Sequence, residues 1–408
     1  MQAGSELRWT ISQIGARQHY AIPKGLCARG TLRRLYTDIW VSRGRSFLKR
    51  MPAGLRALAS RYAEGVPADK VTSFNLGAML RQARFPSHGT VDERYRFYEA
   101  FGQWFGRRVL DGLQAQDMDR SRDIFWGFTT GALECVQHCK QQGILTVVDQ
   151  IDPGRVEEEI VLVEAGRFPG WSAVGGRIPD SYYQRLDAEW QSADLVMVNS
   201  TWSKDGLVKQ GVAPAKIFIV PIIYEPRGEP PVKQRHDRKL TVLWLGQVNL
   251  RKGIQYVLPA AQALPGVRFV IAGPVDISDQ AIKQFPMNVE FAGRLTRDRT
   301  NQAYREADVF ILPTLSDGFA ITQLEAMAQG LPVITTPNCG QVVSDGVDGV
   351  IVAPADGLGL AAAISRFDQD RAFLESASAA AGQKVKLFGS SRCIDLIERE
   401  VLAVLGKR

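Results

Sequence analysis

The sequence predicts an α/β protein of two doubly wound domains facing each other across a cleft. Its 408 residues exceed what one hydrophobic core usually serves, so two domains are the default. Short apolar runs alternate with helical segments through both halves, the pattern of parallel sheets covered by helices. Between the halves, Pro221 to Lys239 (PIIYEPRGEPPVKQRHDRK) is rich in proline and charge and poor in apolar residues, the composition of a linker. The domains are therefore placed at 1–222 and 240–385, with the linker at 223–239 and a terminal segment at 386–408.

In the first domain, Trp9 to Ser12 reads as a strand, Gly15-Ala16 as a tight turn and His19 to Tyr36 as a helical region. Asp123 to Phe128 and Ile144 to Val148 read as strands on either side of a helix over Ala132 to Lys140. Asp194 to Asn199 reads as a buried strand, followed by a helix near Ser203 and a further strand at Lys216 to Val220. Pro52 to Gly112 reads as an insertion of helices. In the second domain, strands are expected at Leu240–Leu245, Val267–Ala272, Val289–Ala292, Val309–Leu312 and Pro332–Thr335. Leu387 to Leu405 is amphipathic and reads as a closing helix. Domains of this kind bind ligands at the carboxyl ends of their strands.

With 45% hydrophobic and 23% charged residues, the composition is ordinary for a soluble globular protein. No apolar run approaches the ~18 residues of a transmembrane helix. The opening MQAGSELRWTISQIG lacks the basic segment and apolar block of a secretory signal. Five cysteines at irregular spacing argue against a disulfide framework and for a reducing cytoplasm. Cys135, His138 and Cys139 invite a metal reading, but no second ligand pair follows; a packed helix accounts for them, and no metal is expected.

The net charge of +7 has one local source: Arg43, Arg45, Lys49, Arg50, Arg56 and Arg61 fall in a stretch without an acid. Phe47, Leu48, Met51, Leu55, Leu58 and Tyr62 are interleaved with them. One reading of residues 43–61 is an interfacial helix making peripheral contact with anionic lipid at the inner face of a membrane. The other is a solvated basic face over an ordinary core stripe, and Pro52 and Gly54 interrupt any helix there. Nucleic acid is not expected, because no aromatic-basic platform accompanies the charge.

The most informative segment is 309–336, VFILPTLSDGFAITQLEAMAQGLPVITT. It reads as strand, turn, helix and strand. A helix N-terminus offers free N–H groups and partial positive charge to a phosphate. Gly318 has no Cβ to obstruct the approach. Asp317 in the turn and Glu325 inside the helix are acceptors for sugar hydroxyls. The layout suits a phosphorylated sugar compound; the plainer reading of Asp317 is an Asx-type turn or helix cap.

Asp317-Gly318-Phe319-Ala320 through Leu324-Glu325-Ala326-Met327-Ala328, followed by Gly-Leu-Pro-Val-Ile, resembles the donor-site signature of retaining GT-B glycosyltransferases of the GT4 group. That signature has two glutamates separated by seven residues; here Asp stands for the first. The resemblance implies GT-B architecture, two Rossmann-like domains facing a cleft, with the last helix crossing back to the first domain. It implies a nucleotide-sugar donor, an acceptor hydroxyl of unknown identity, no cofactor and no obligatory metal. By resemblance Asp317 faces the transferred sugar, Glu325 binds the ribose, and Gly318, Phe319, Ala320 and Ile321 surround the diphosphate. Lys252, in register after Gly246, holds the diphosphate. Gln247 stands where the family has Arg, and Arg251 is offered as a compensating charge against a plain solvent-facing role. Arg294 and Leu295 occupy the turn that meets the base. In the first domain Gly15 fits the glycine turn near the donor, and His19 either lines the cleft or packs. Asp149 stands near the place of a family histidine and is a candidate substitute.

Asp is one methylene shorter than Glu, which sets its carboxylate back by about 1.5 Å. With Gln247 and the missing histidine, this motivates a rival reading, a catalytically impaired nucleotide-sugar-binding scaffold. A hydrolase, epimerase or phosphorylase of the same architecture is a third.

Overall fold

A computed structural model describes residues 7–48, 50–51, 56, 58–172, 176–226, 228, 230 and 239–406. The first domain holds strands β1 (Arg8–Gln13), β2 (Leu32–Thr37), β3 (Val71–Ser73), β4 (Asp123–Phe128), β5 (Leu145–Gln150), β6 (Leu195–Val198) and β7 (Ile217–Ile219). They form one parallel sheet ordered β3-β2-β1-β4-β5-β6-β7. The second domain holds β8 (Thr241–Leu245), β9 (Arg268–Ala272), β10 (Val289–Gly293), β11 (Val309–Leu312), β12 (Val333–Thr335) and β13 (Gly349–Ile351). They form a parallel sheet ordered β10-β9-β8-β11-β12-β13. In both sheets the order reverses beside the first strand, and there a crevice opens at the carboxyl ends.

Each sheet is buried on both faces. Trp9, Trp126 and Met197 pack on one side of the first sheet, and Phe125, Val148 and Val196 on the other. In the second, Trp244, Phe269 and Ile311 face one core and Phe310, Leu312 and Val333 the other. Strands covered twice are near-continuous apolar runs, which is why they stand out in the sequence.

Two readings are corrected, and one strand was not foreseen. His19 to Tyr36 is not one helical region: a helix covers only Ala21–Ala28, and Leu32–Thr37 is β2. β2 reads LRRLYT, and its two arginines hide the strand; Arg33 is spent on Asp123 at 2.7 Å. The stretch from Pro52 to Gly112 includes edge strand β3 besides the helices Asn75–Gln82 and Val91–Gln114. β13, only three residues long, has no legible pattern. Of the linker at 223–239, residues 227, 229 and 231–238 lie outside the described residues, as do 49, 52–55 and 57 of the basic stretch. Cys135 and Cys139 are core residues, and the Cys135 thiol donates to the Gly106 carbonyl.

The domains touch through more than the linker. Helix Arg155–Arg167 leaves the first domain and docks on the second: Glu164 accepts from Gln255 at 2.9 Å and Tyr256 at 2.7 Å, and Trp171 completes the second domain's core. In return, helix Ser390–Leu405 packs Cys393, Ile394, Ile397 and Val401 into the first domain's core beside Ile22 and Leu26. Chain order and packing therefore disagree at two places.

Candidate active site

Between the two rows of strand ends lies a cavity of about 370 Å3. The first domain lines it with Arg17, Gln18, Phe128, Ile151 and Asn199; the second with Trp244, Gly246, Gln247, Lys252, Asp317 and Phe319 to Thr322.

Lys252 is placed by a single helical turn, Leu250–Lys252, capped by Asn249, whose side chain accepts from the Lys252 amide at 3.1 Å. The next residue must be glycine: Gly253 has φ 82°, and a Cβ there would overlap the Pro313 carbonyl. The chain is thus folded tightly against the loop after β11, and the Lys252 ammonium meets the Asp317 carboxylate in an ion pair. Both are nearly buried, at 12% and 16% side-chain exposure. Burial first, then the Arg251 guanidinium, pulls the Lys252 pKa down to about 7; the carboxylates of Asp317 and Glu157 act the other way.

Asp317 takes the plainer of the two roles read from the sequence and keeps one oxygen for a neighbour. Its Oδ1 accepts from the amides of Phe319 at 3.0 Å and Ala320 at 2.9 Å, an Asx-type turn, while Oδ2 is left for Lys252. Two of the amides expected to meet phosphate are therefore already engaged. The next two, of Ile321 and Thr322, open helix Thr322–Met327 into the cavity. Ala320 adopts φ 60°, a conformation uncommon for a residue with a Cβ, so the turn is strained where a ligand would be gripped.

Gly318 meets a demand beyond the one its motif suggests. It abuts the first domain, and a Cβ there would overlap the Ile151 carbonyl. Around it is a cross-domain network: Glu157 accepts from Ser316 Oγ at 2.9 Å and from Arg251 at 3.3 Å, and the Trp202 indole donates to Ser316 Oγ at 3.0 Å. Arg251 also donates to the Ser316 carbonyl at 2.9 Å and lies 3.7 Å from Asp317. It is no solvent-facing loop arginine. Burial raises the Glu157 pKa, against the pull of Arg251.

Other sequence-named residues stand further off. Gln247 lines the cavity, exposed, with its amide on Asp276 at 3.3 Å. Glu325 lies one turn beyond Ile321 and accepts from the buried Tyr304 hydroxyl at 3.0 Å. Arg294 and Leu295 follow β10 and do not line this cavity. Gly15, at φ 82°, donates its amide to Asp38 at 2.8 Å, and a Cβ there would meet the Arg61 guanidinium. His19 is exposed, in a run of three left-handed residues, Gln18 to Tyr20, that turns Arg17 and Gln18 into the cavity instead. Sequence reasoning missed Arg17, Gln18, Glu157 and Ser316. A basic residue straight after the Gly15-Ala16 turn was the available signal for Arg17.

Asp149 is fully buried, and among the described residues neither carboxylate oxygen has a partner at hydrogen-bond distance, the Trp126 indole being its nearest candidate donor. Burial raises its pKa to about 8, with Arg17 opposing. The folded state therefore holds the proton that the unfolded chain releases near the ordinary ~4, and stability drains away as pH rises from there to about 8. Asp149→Asn, which cannot ionise, is expected to melt several degrees higher than the parent at pH ~8 and to match it at pH ~4.5. Equal melting curves at both pH values refute the buried acid.

Residues 239–370 match the glycosyl transferases group 1 family. The chain is 27% identical over 174 residues to the alpha-galactosylglucosyldiacylglycerol synthase of Streptococcus pneumoniae, a match covering 38% of this chain and 45% of that one. It is 27% identical over 239 residues to glycogen synthase of Mycobacterium tuberculosis, covering 55% and 57%. It thus spans about half the length of these curated relatives. The structure of Anabaena HepE in complex with UDP and glucose matches over 97% of this chain and 100% of that one, with a TM-score of 0.62 at 12% identity, a likeness of fold. Residues 239–370 are thus similar to the glycosyl transferases group 1 family, and the two domains have the GT-B fold.

Proposed function

We propose that this chain is a retaining glycosyltransferase that moves a sugar from a nucleotide-sugar donor to an acceptor hydroxyl, without an obligatory metal. The observation that carries the reading is the buried Lys252–Asp317 pair at the floor of the cleft, beside the open start of helix Thr322–Met327. An ammonium and helix amides at one point are what a departing nucleoside diphosphate requires. Asp317, released as Lys252 turns to phosphate, becomes an acceptor for hydroxyls of the transferred sugar. Arg17, from the first domain, adds positive charge from the other wall. For retention, front-face attack by the acceptor is favoured, since no residue stands out as a covalent nucleophile. Asp149 lies beneath the wall rather than on it and feels Arg17 only through space, so its part would be electrostatic.

The test is a thermal-shift screen with UDP, GDP, ADP, CMP and their sugar conjugates, UDP first because HepE holds it. A ligand that binds only the folded state raises the melting temperature by mass action. A hit followed by sugar release or transfer establishes the enzyme. A hit with no turnover under any acceptor identifies the scaffold reading, which Gln247 on Asp276, away from any phosphate, would then explain. Glu325→Ala should weaken nucleotide binding about tenfold or more, by loss of a charged hydrogen-bond acceptor for the ribose. Unchanged affinity in the folded variant would sink that assignment.

A further inference from the structure

Helix Asn75–Gln82 turns one side to the first domain and leaves the other bare. Ala78 is fully buried in a small cluster with Ile39 and Phe101, to which Val41 and Leu58 add. The Asn75 side chain brackets Trp40, accepting from its amide and donating to its carbonyl at 2.9 Å each, and Gln82 donates to Asp38 at 3.1 Å. Positions 75, 78 and 82 thus face inward, and helical spacing groups Leu76, Met79 and Leu80 on the other side. These three are 73%, 45% and 60% exposed. A fourth, Phe47, is 66% exposed on the short helix Arg45–Leu48. That helix hangs on the same anchor: Arg45 stacks over Tyr62 at 4.1 Å, and the Tyr62 ring lies 5.1 Å from that of Trp40.

The two stretches that carry these side chains are basic, although Glu64 and Asp69 are exposed between them. Neither 39–63 nor 70–91 contains an acidic residue, and Arg43, Arg50, Arg56, Arg81 and Arg84 are all exposed within them. Apolar side chains grouped on a surface mark an interaction site, whereas single ones do not. We propose that this edge of the first domain docks reversibly on an anionic lipid bilayer. Leu76, Met79, Leu80 and Phe47 enter the headgroup boundary while the arginines meet lipid phosphates. A second copy of the chain is the poorer occupant, because the two patches would bring like charges together. The inference does not depend on the transfer reaction.

The test is co-sedimentation of the whole protein with phosphatidylcholine vesicles, plain or with about 30% phosphatidylglycerol, at low and high salt. Binding is expected to the anionic vesicles only, weakened about tenfold or more by ~0.5 M salt. Leu76→Asp with Leu80→Asp should reduce it at least about tenfold, and so should Arg50→Glu with Arg84→Glu, with melting temperature unchanged. Absence of binding to anionic vesicles overturns the proposal, as does undiminished binding by both variants. A concentration-dependent dimer that the leucine variant abolishes also overturns it, reassigning the patch to self-association.

Discussion

Replacing Lys252 by alanine is expected to lower turnover about 100- to 1000-fold, the usual loss when one preorganised charge-stabilising group leaves a water-poor site. Binding of the free nucleoside should barely change, because in the proposed role the ammonium meets diphosphate and not base or ribose. The pH dependence gives a second reading of the same residue. Burial and Arg251 hold the Lys252 pKa at about 7, so in the free enzyme the positive charge is lost as pH rises through that value. The kcat/KM of the parent should therefore fall on the alkaline side of about pH 7. Lys252→Arg, charged throughout, should flatten that limb even where it lowers the maximum. Asp149, which also titrates on the alkaline side at about 8, is the confounding group, and Asp149→Asn controls for it. If Lys252→Ala costs less than about tenfold in kcat/KM, the diphosphate is held elsewhere.

How much of this was legible in the sequence follows from what each residue type contributes alone. The strands β4, β6, β8, β9 and β11 are covered on both faces, so their apolar runs declare them without reference to a partner. β2 and β3 are the counterexamples: charged or short, they exist because β1 and the arginine pairs to Asp123 hold them. In the site, Lys252, Asp317 and the amides before Thr322 belong to loops set by local turns, which is why a motif placed them. Glu157 belongs to it only because two domains meet, which no local spacing encodes, and for Arg17 the one local hint was a basic residue after the Gly15-Ala16 turn. Gly318 shows the limit most plainly: the glycine was legible, but the carbonyl that requires it is 167 positions earlier in the chain.

Gly318→Ala should therefore act on the relation between the domains rather than on donor binding. Gly318 lacks the positive φ that would forbid alanine, so the objection is steric alone. A Cβ there meets the Ile151 carbonyl and then the Asp152 Cα, both backbone, and neither can swing aside as a side chain would. Either the turn after β11 shifts or the domains part locally. Both outcomes strain the bonds from Glu157 and Trp202 to the adjacent Ser316. Overpacking of this kind costs about 1–3 kcal/mol, and the melting temperature should drop by several degrees. Lys252, Ile321, Thr322 and Glu325 all sit on the second domain, so nucleotide affinity should change little. Turnover needs the first domain at its proper distance, and a displacement near 1 Å costs about 100-fold. Gly266→Ala is the matched control: nothing lies near its added Cβ and its φ is not in the left-handed region, so it should be neutral. A Gly318→Ala protein with full turnover would mean that the two domains do not meet at this glycine in the working enzyme. Loss of nucleotide binding in step with turnover would instead return Gly318 to the phosphate-binding part its motif suggests.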